Sequence, residues 1–185
     1  MPELAEVEYF RKRWNPGLGR KVVGVRLNPK ARVGRGLDAR ALAKALTGAK
    51  LLESFAAAKQ MAFRFAGGAW LGVHLGMTGR LEAGDAEREP TPYDHFQLTM
   101  AGGRELVFVD PRQFGRIQFW QGEGVPPWWA KIPPAILSDA FTPGLVVAFL
   151  RRRARTAIKA VLLMQERFPG IGNWMADEVL WRAGF

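Results

Sequence analysis

The pairing of a proline at position 2 with a glutamate at position 3 is the most chemically suggestive feature of this 185-residue chain. Removal of Met1 would expose the secondary amine of Pro2. An α-amino group has a pKa near ~8, against ~10.4 for a lysine side chain, so it offers far more free amine at neutral pH. Such an amine can attack an electrophilic carbon and form a covalent adduct, with Glu3 near enough to shuttle a proton. The plain alternative is a frayed terminus. Other residues could join this chemistry. Lys59 lies at a strand end in an alanine-rich setting, and His74 follows an apolar run. In Asp110-Pro111-Arg112-Gln113-Phe114-Gly115-Arg116 an arginine and an aromatic stand two apart on a glycine-flanked tip. Gly170-Ile171-Gly172-Asn173 precedes a helical pattern, where free N–H groups and the positive dipole end suit a phosphate. Asn173 also reads as a simple helix cap.

These residues need elements to position them. Leu4, Val7 and Trp14 fall at helical spacing, and Asn15-Pro16-Gly17 ends that helix, predicted over 3–14. A strand is predicted over 21–27, and Asp38 caps a helix to about Leu46. Strands follow at about 50–57, 60–66, 69–75, 95–101, 104–109 and 115–121. Glycine pairs at 67–68 and 102–103 mark tight hairpins. Residues 82–94 read as a loop. Residues 122–136, with four prolines, read as a linker in which Trp128 and Trp129 are packing anchors. Helices are predicted at about 143–151, 155–167 and 174–183. The pattern is α+β: an N-terminal antiparallel β-sandwich flanked by helices (1–121), a linker (122–136), and a partial all-α module (137–185).

Lys and Arg number 27 against 17 Asp and Glu, a net charge of +10. That balance points to a polyanionic partner, nucleic acid first and an anionic membrane surface second. No apolar run approaches the ~20 residues of a membrane helix, and the start does not read as a signal peptide. With no cysteine there is neither a disulfide nor a thiolate metal site.

The stretches PELAEVE from Pro2, AAAKQM around Lys59, HLGMTGRL from His74 and DPRQFGR from Asp110 stand in that order along the chain. LSDAF from Leu137 and GIGNWMADEVLWRAGF from Gly170 follow. In this ordered set the chain resembles the formamidopyrimidine-DNA glycosylase family. The resemblance implies a bifunctional glycosylase and AP lyase that removes oxidised purines from damaged double-stranded DNA. It makes Pro2 the nucleophile on C1′, Glu3 the proton shuttle, and Lys59 an aid to elimination or a phosphate ligand. It places His74 near the lesion's phosphates and makes Met77 and Phe114 fillers of the gap left by a flipped base. Arg112 meets the orphaned base, and Asn173 grips the backbone in a helix-two-turn-helix module. Arg155 is the further phosphate contact expected in the basic run before that module. Tyr93 stands where the family often has a DNA-contacting histidine, with His95 displaced by two positions. The chain departs from the family at Ala5, where a second proline is usual. It also lacks the four cysteines of the family's zinc ribbon, so it reads as a C-terminally shortened form without its own cofactor. The expected setting is a monomer in the bacterial cytoplasm, at the nucleoid and off the membrane. Two alternatives stay open: the related branch that removes oxidised pyrimidines, and a damaged-DNA-binding protein without catalysis.

Overall fold

A computed structural model describes residues 2–85 and 87–185. Met1, on whose removal the amine chemistry depends, lies outside the described residues. In chain order, helix α1 (Leu4–Arg13) is followed by strand β1 (Val22–Leu27) and helix α2 (Ala39–Leu46). Strands β2 (Leu51–Ala57), β3 (Gln60–Phe65), β4 (Ala69–His74), β5 (Arg80–Asp85), β6 (Asp94–Met100), β7 (Arg104–Val109) and β8 (Arg116–Gln121) come next. Helices α3 (Pro127–Ala130), α4 (Pro143–Arg152), α5 (Ile158–Leu162) and α6 (Asn173–Arg182) complete the chain. The strands form two antiparallel four-stranded sheets, ordered β1-β6-β7-β5 and β2-β3-β4-β8.

The sandwich forms because each sheet turns bulky apolar residues inward. Phe63, Phe65 and Leu71 from one sheet and Phe96, Leu98 and Phe108 from the other belong to one buried cluster. Helix α1 ends on Trp14, its C-cap, whose ring centre lies 4.7 Å from that of Phe63 and 6.3 Å from that of Phe96. The indole N–H of Trp14 donates to the Glu82 carbonyl at 3.1 Å, so this buried polar edge is satisfied. That packing, with contacts from α1 to β2, β3 and β5, fixes where the chain start emerges.

A second, separate apolar cluster holds Phe149, Val161, Leu162, Phe168, Ile171 and Ala176. Between the two cores, Trp129 lies 6.3 Å from Phe55, and the Trp128 ring occupies the space that a Cβ on Gly72 would need. The tryptophans of the 122–136 segment therefore anchor it to the sandwich.

Two expected elements differ. The predicted 82–94 loop begins as part of β5, an edge strand that pairs only with β7 and buries only Leu81. A strand with so little buried surface leaves a weak alternation, and Gly84-Asp85 mimics a turn. The predicted 155–167 helix is shortened to α5. Beyond it, the Gln165 side chain donates to the carbonyls of Leu163 and Ile171 and accepts from Gly170 N–H. A side chain thus takes over backbone groups that a longer helix would have paired.

Candidate active site

The site is built where the sandwich meets the helical module. Pro2 is buried and Glu3 is only 2% exposed, so the start of the chain is held in place. Glu3 opens α1, where its own N–H donates to the Glu6 carboxylate at 2.9 Å. Its carboxylate reaches across to α6 and accepts from the N–H groups of Gly172, Trp174 and Met175, each at 3.1 Å. Gly172 is required there: a Cβ on it would sit 2.1 Å from Glu3 Oε1.

This arrangement corrects the reading of the GIGN turn. The N–H groups of Gly172, Trp174 and Met175, at the turn expected to bind a phosphate, are occupied by Glu3, which supplies the negative charge favoured at a helix start. Asn173 is not the cap; it is the first residue of α6, exposed beside the cavity. Its side chain is what this turn presents.

Lys59 sits in the two-residue turn between β2 and β3, where Ala58 adopts φ 55°. It is 6% exposed, so it is not a solvated surface lysine. Burial pushes the Lys59 ammonium below the ordinary lysine range, opposed by the negative charge of Glu3. His74 ends β4 beside Gln60 of β3, and its Nδ1 accepts from the Gly76 N–H at 3.1 Å. The neutral ring therefore carries its proton on Nε2. Burial lowers the His74 pKa, and the positive charge of Lys59 lowers it further. Lys59, Gln60, His74, Gly172 and Asn173 line one cavity of about 310 Å³.

Beside the cavity, two loops project from the ends of β4 and β8. Met77 is 47% and Phe114 52% exposed, so neither is a core residue. Arg112 is exposed, its guanidinium 4.9 Å from the Phe114 ring centre. The loops are tied by Asp110, which sequence reasoning left without a role. This buried carboxylate accepts from Thr78 Oγ1 at 2.8 Å and from Gly115 N–H at 2.7 Å. Gly76 packs so closely on the Phe114–Gly115 backbone that a Cβ would lie 2.4 Å from the Phe114 carbonyl carbon. The signal for Asp110 was its place before a proline at the start of a tip.

Other expected residues fall elsewhere. Tyr93 is half exposed, and its carbonyl accepts from Asp110 N–H. His95 is buried, its Nε2 donating to the Asp110 carbonyl at 2.9 Å. Arg155 is exposed between α4 and α5 and is not among the cavity-lining residues. In the same basic run, Arg153 pairs with Glu166 and Lys159 with Asp177.

Among the described residues no group of three His, Asp or Glu could hold a metal, and no helix is long and apolar enough to cross a membrane. The structural zinc implied by the resemblance has no ligand set among these residues.

A two-sheet sandwich that buries an N-terminal Pro-Glu against a helical module, with lysine and histidine across a shared cavity, defines a narrow structural class. The pattern of the formamidopyrimidine-DNA glycosylase N-terminal domain matches residues 1–117. A formamidopyrimidine-DNA glycosylase of Cereibacter sphaeroides is 35% identical over 199 residues, covering all of this chain and 68% of the relative. One from Solibacter usitatus is 37% identical over 184 residues, covering 66% of its length. Among solved structures, MutM (Fpg) of Thermus thermophilus aligns with a TM-score of 0.75 at 35% identity, covering 98% of this chain and 64% of that one. Lactococcus lactis Fpg bound to DNA containing N7-benzyl-Fapy-dG aligns at 0.84 and 28% identity, covering 97% and 66%. The chain thus spans about two thirds of the length of these relatives. It belongs to the formamidopyrimidine-DNA glycosylase family.

Proposed function

We propose that the chain is a base-excision DNA glycosylase with AP lyase activity that removes oxidised purines from duplex DNA. The observation that carries this reading is one cavity lined by Lys59, His74, Gly172 and Asn173, whose Gly172 N–H is held by Glu3, the neighbour of Pro2, with Met77, Arg112 and Phe114 exposed on the adjoining loops. Relatives bound to DNA containing carbocyclic 8-oxo-G or a Fapy lesion support the choice of substrate.

The reaction begins when the Pro2 nitrogen attacks C1′ and the C1′–base bond breaks, the base leaving with the electron pair. Glu3 relays the proton that opens the sugar, giving an iminium that is cationic without needing a proton. That cation acidifies the neighbouring carbon. Lys59, whose pKa burial lowers, takes a proton from it, and the 3′ phosphate leaves; a second elimination expels the 5′ phosphate. His74 Nε2–H and the Asn173 amide are hydrogen-bond donors for phosphate oxygens at the cavity. Base chemistry requires extrusion of the nucleotide, and Met77 and Phe114 fill the vacated stack while Arg112 meets the orphaned base. Tyr93 and Arg155 serve as outlying backbone contacts. The separate cores support the division at 1–121, 122–136 and 137–185.

The test is incubation of the Met1-free chain with a duplex carrying 8-oxoguanine opposite cytosine. The expected outcome is free 8-oxoguanine and a one-nucleotide gap with phosphate at both ends. A duplex that is bound but left intact would make this chain a binding module.

A further inference from the structure

On the far side of the wedge loops lies a groove of about 540 Å³ lined by Arg32, Arg35, Gln113, Phe114, Gly115 and Arg116. No acidic residue lines it. Arg32, Arg35, Arg112 and Arg116 are all exposed, and none makes an ion pair among the described residues. The groove is also braced. Gln113 takes up a left-handed conformation at φ 53°, and its side-chain oxygen accepts from Arg32 N–H at 2.8 Å. This bond ties the wedge loop to the turn Arg32–Gly34, which itself packs against β8.

Register fixes where the groove stands relative to the cavity. Gln60 of β3 pairs with His74 of β4, and His74 pairs with Arg116 of β8. Adjacent strands lie ~4.8 Å apart, so Arg116 is about 10 Å from the cavity edge at Gln60, and the Arg32–Gly34 turn lies beyond it. The loops bearing Met77 and Phe114 rise from the two middle positions of that row. The cavity and the arginine groove therefore flank the wedge on opposite sides. A duplex entered by the wedge has one backbone on each side of it.

We infer that Arg32, Arg35 and Arg116 bind the phosphodiester backbone of the undamaged strand, opposite the lesion. This rests on the reading of the cavity as the damaged-strand site. Unpaired guanidiniums around an acid-free groove suit successive phosphates, to which each can donate two parallel hydrogen bonds. Such contacts fix orientation on the duplex without reading sequence.

The experiment compares the parent chain with the Arg32→Ala/Arg35→Ala double variant, and with Arg35→Glu as a second, single change. Affinity is measured against salt on a duplex carrying a stable abasic-site analogue and on the same damaged strand alone. Two lost phosphate contacts should lower the salt slope on the duplex by ~1.8, so a fourfold drop in salt widens the gap between parent and variant about tenfold. On the single strand the variants should stay within about twofold of the parent, since phosphate contacts to the absent strand contribute nothing there. An unchanged duplex slope would overturn the inference, as would an equal loss on the single strand, which would put these arginines on the damaged backbone. Borohydride trapping of the parent separates the two readings. Its failure would sink the catalytic reading of the cavity and leave the binding comparison standing.

Discussion

Replacing Glu3 tests the link between the catalytic terminus and the helical module. The Glu3 carboxylate is the cap of α6, supplied from about 170 residues away in sequence, and it satisfies three N–H groups at 3.1 Å. Glu3→Ala removes both acceptor oxygens and with them all three bonds. Loss of an N-cap costs ~0.5–2 kcal/mol, and loss of the charge at a partly buried helix start adds up to ~2 kcal/mol. The Gly172 N–H is buried and would be left without a partner, at ~1–3 kcal/mol. These effects overlap, so the expected loss is about 3–5 kcal/mol, a large part of the ~5–15 kcal/mol of an ordinary domain. Glu3→Gln keeps one acceptor oxygen and the shape of the side chain, and should cost about 1–2 kcal/mol. Urea unfolding followed by tryptophan fluorescence measures the loss. Hydrogen exchange at Gly172, Trp174 and Met175 locates it. An alanine variant within ~0.5 kcal/mol of the parent, or unchanged exchange at those amides, would refute the cap.

Three more predictions follow from the same geometry. The chain has only two histidines, so His74 is resolvable by NMR titration; Lys59→Gln removes a charge that lowers its pKa, and the pKa should rise. No rise would mean that Lys59 is not charged beside it. Asp94 is buried, which raises its pKa, but hydrogen bonds from Arg88 and Thr91 outweigh this and lower it. Its stabilisation is complete above the unfolded value near ~3.9 and is lost as pH falls through the lowered folded value. Arg88→Ala should therefore cost ~1.5–3 kcal/mol at pH 7 and progressively less below about pH 4; an equal cost in urea melts at both pH values would contradict this. Met77→Ala with Phe114→Ala removes exposed side chains, so unfolding should shift by less than ~0.5 kcal/mol. Affinity for an abasic duplex should nevertheless drop at least tenfold, and a large stability loss with intact binding would make these residues packing elements instead.

The legible parts of the fold were those with strong local signals. The glycine-paired hairpins at 67–68 and 102–103, the Asp38 cap and the amphipathic first helix each follow from residues within a few positions of one another. Strand β5 was missed because an edge strand with one buried residue leaves almost no alternation. Helix α5 was overestimated because Gln165 replaces backbone partners from the side, which no periodicity reveals. The site divides in the same way. Pro2, Lys59, Arg112 and Phe114 stood out through their types and neighbours. Capping of α6 by Glu3, clasping of the two loops by Asp110 and bracing of Arg32 by Gln113 join residues 32 to 172 positions apart. Such contacts exist only once the sheets are assembled.

The most direct test of the central claim is borohydride reduction of the Met1-free chain on a duplex bearing a natural abasic site, followed by mass mapping of the adduct. An abasic site needs no lesion recognition, so the test isolates the amine chemistry. The account predicts a covalent DNA adduct on residue 2 that requires removal of Met1. An adduct on Lys59, or none from a folded Met1-free chain that binds the duplex, would contradict it.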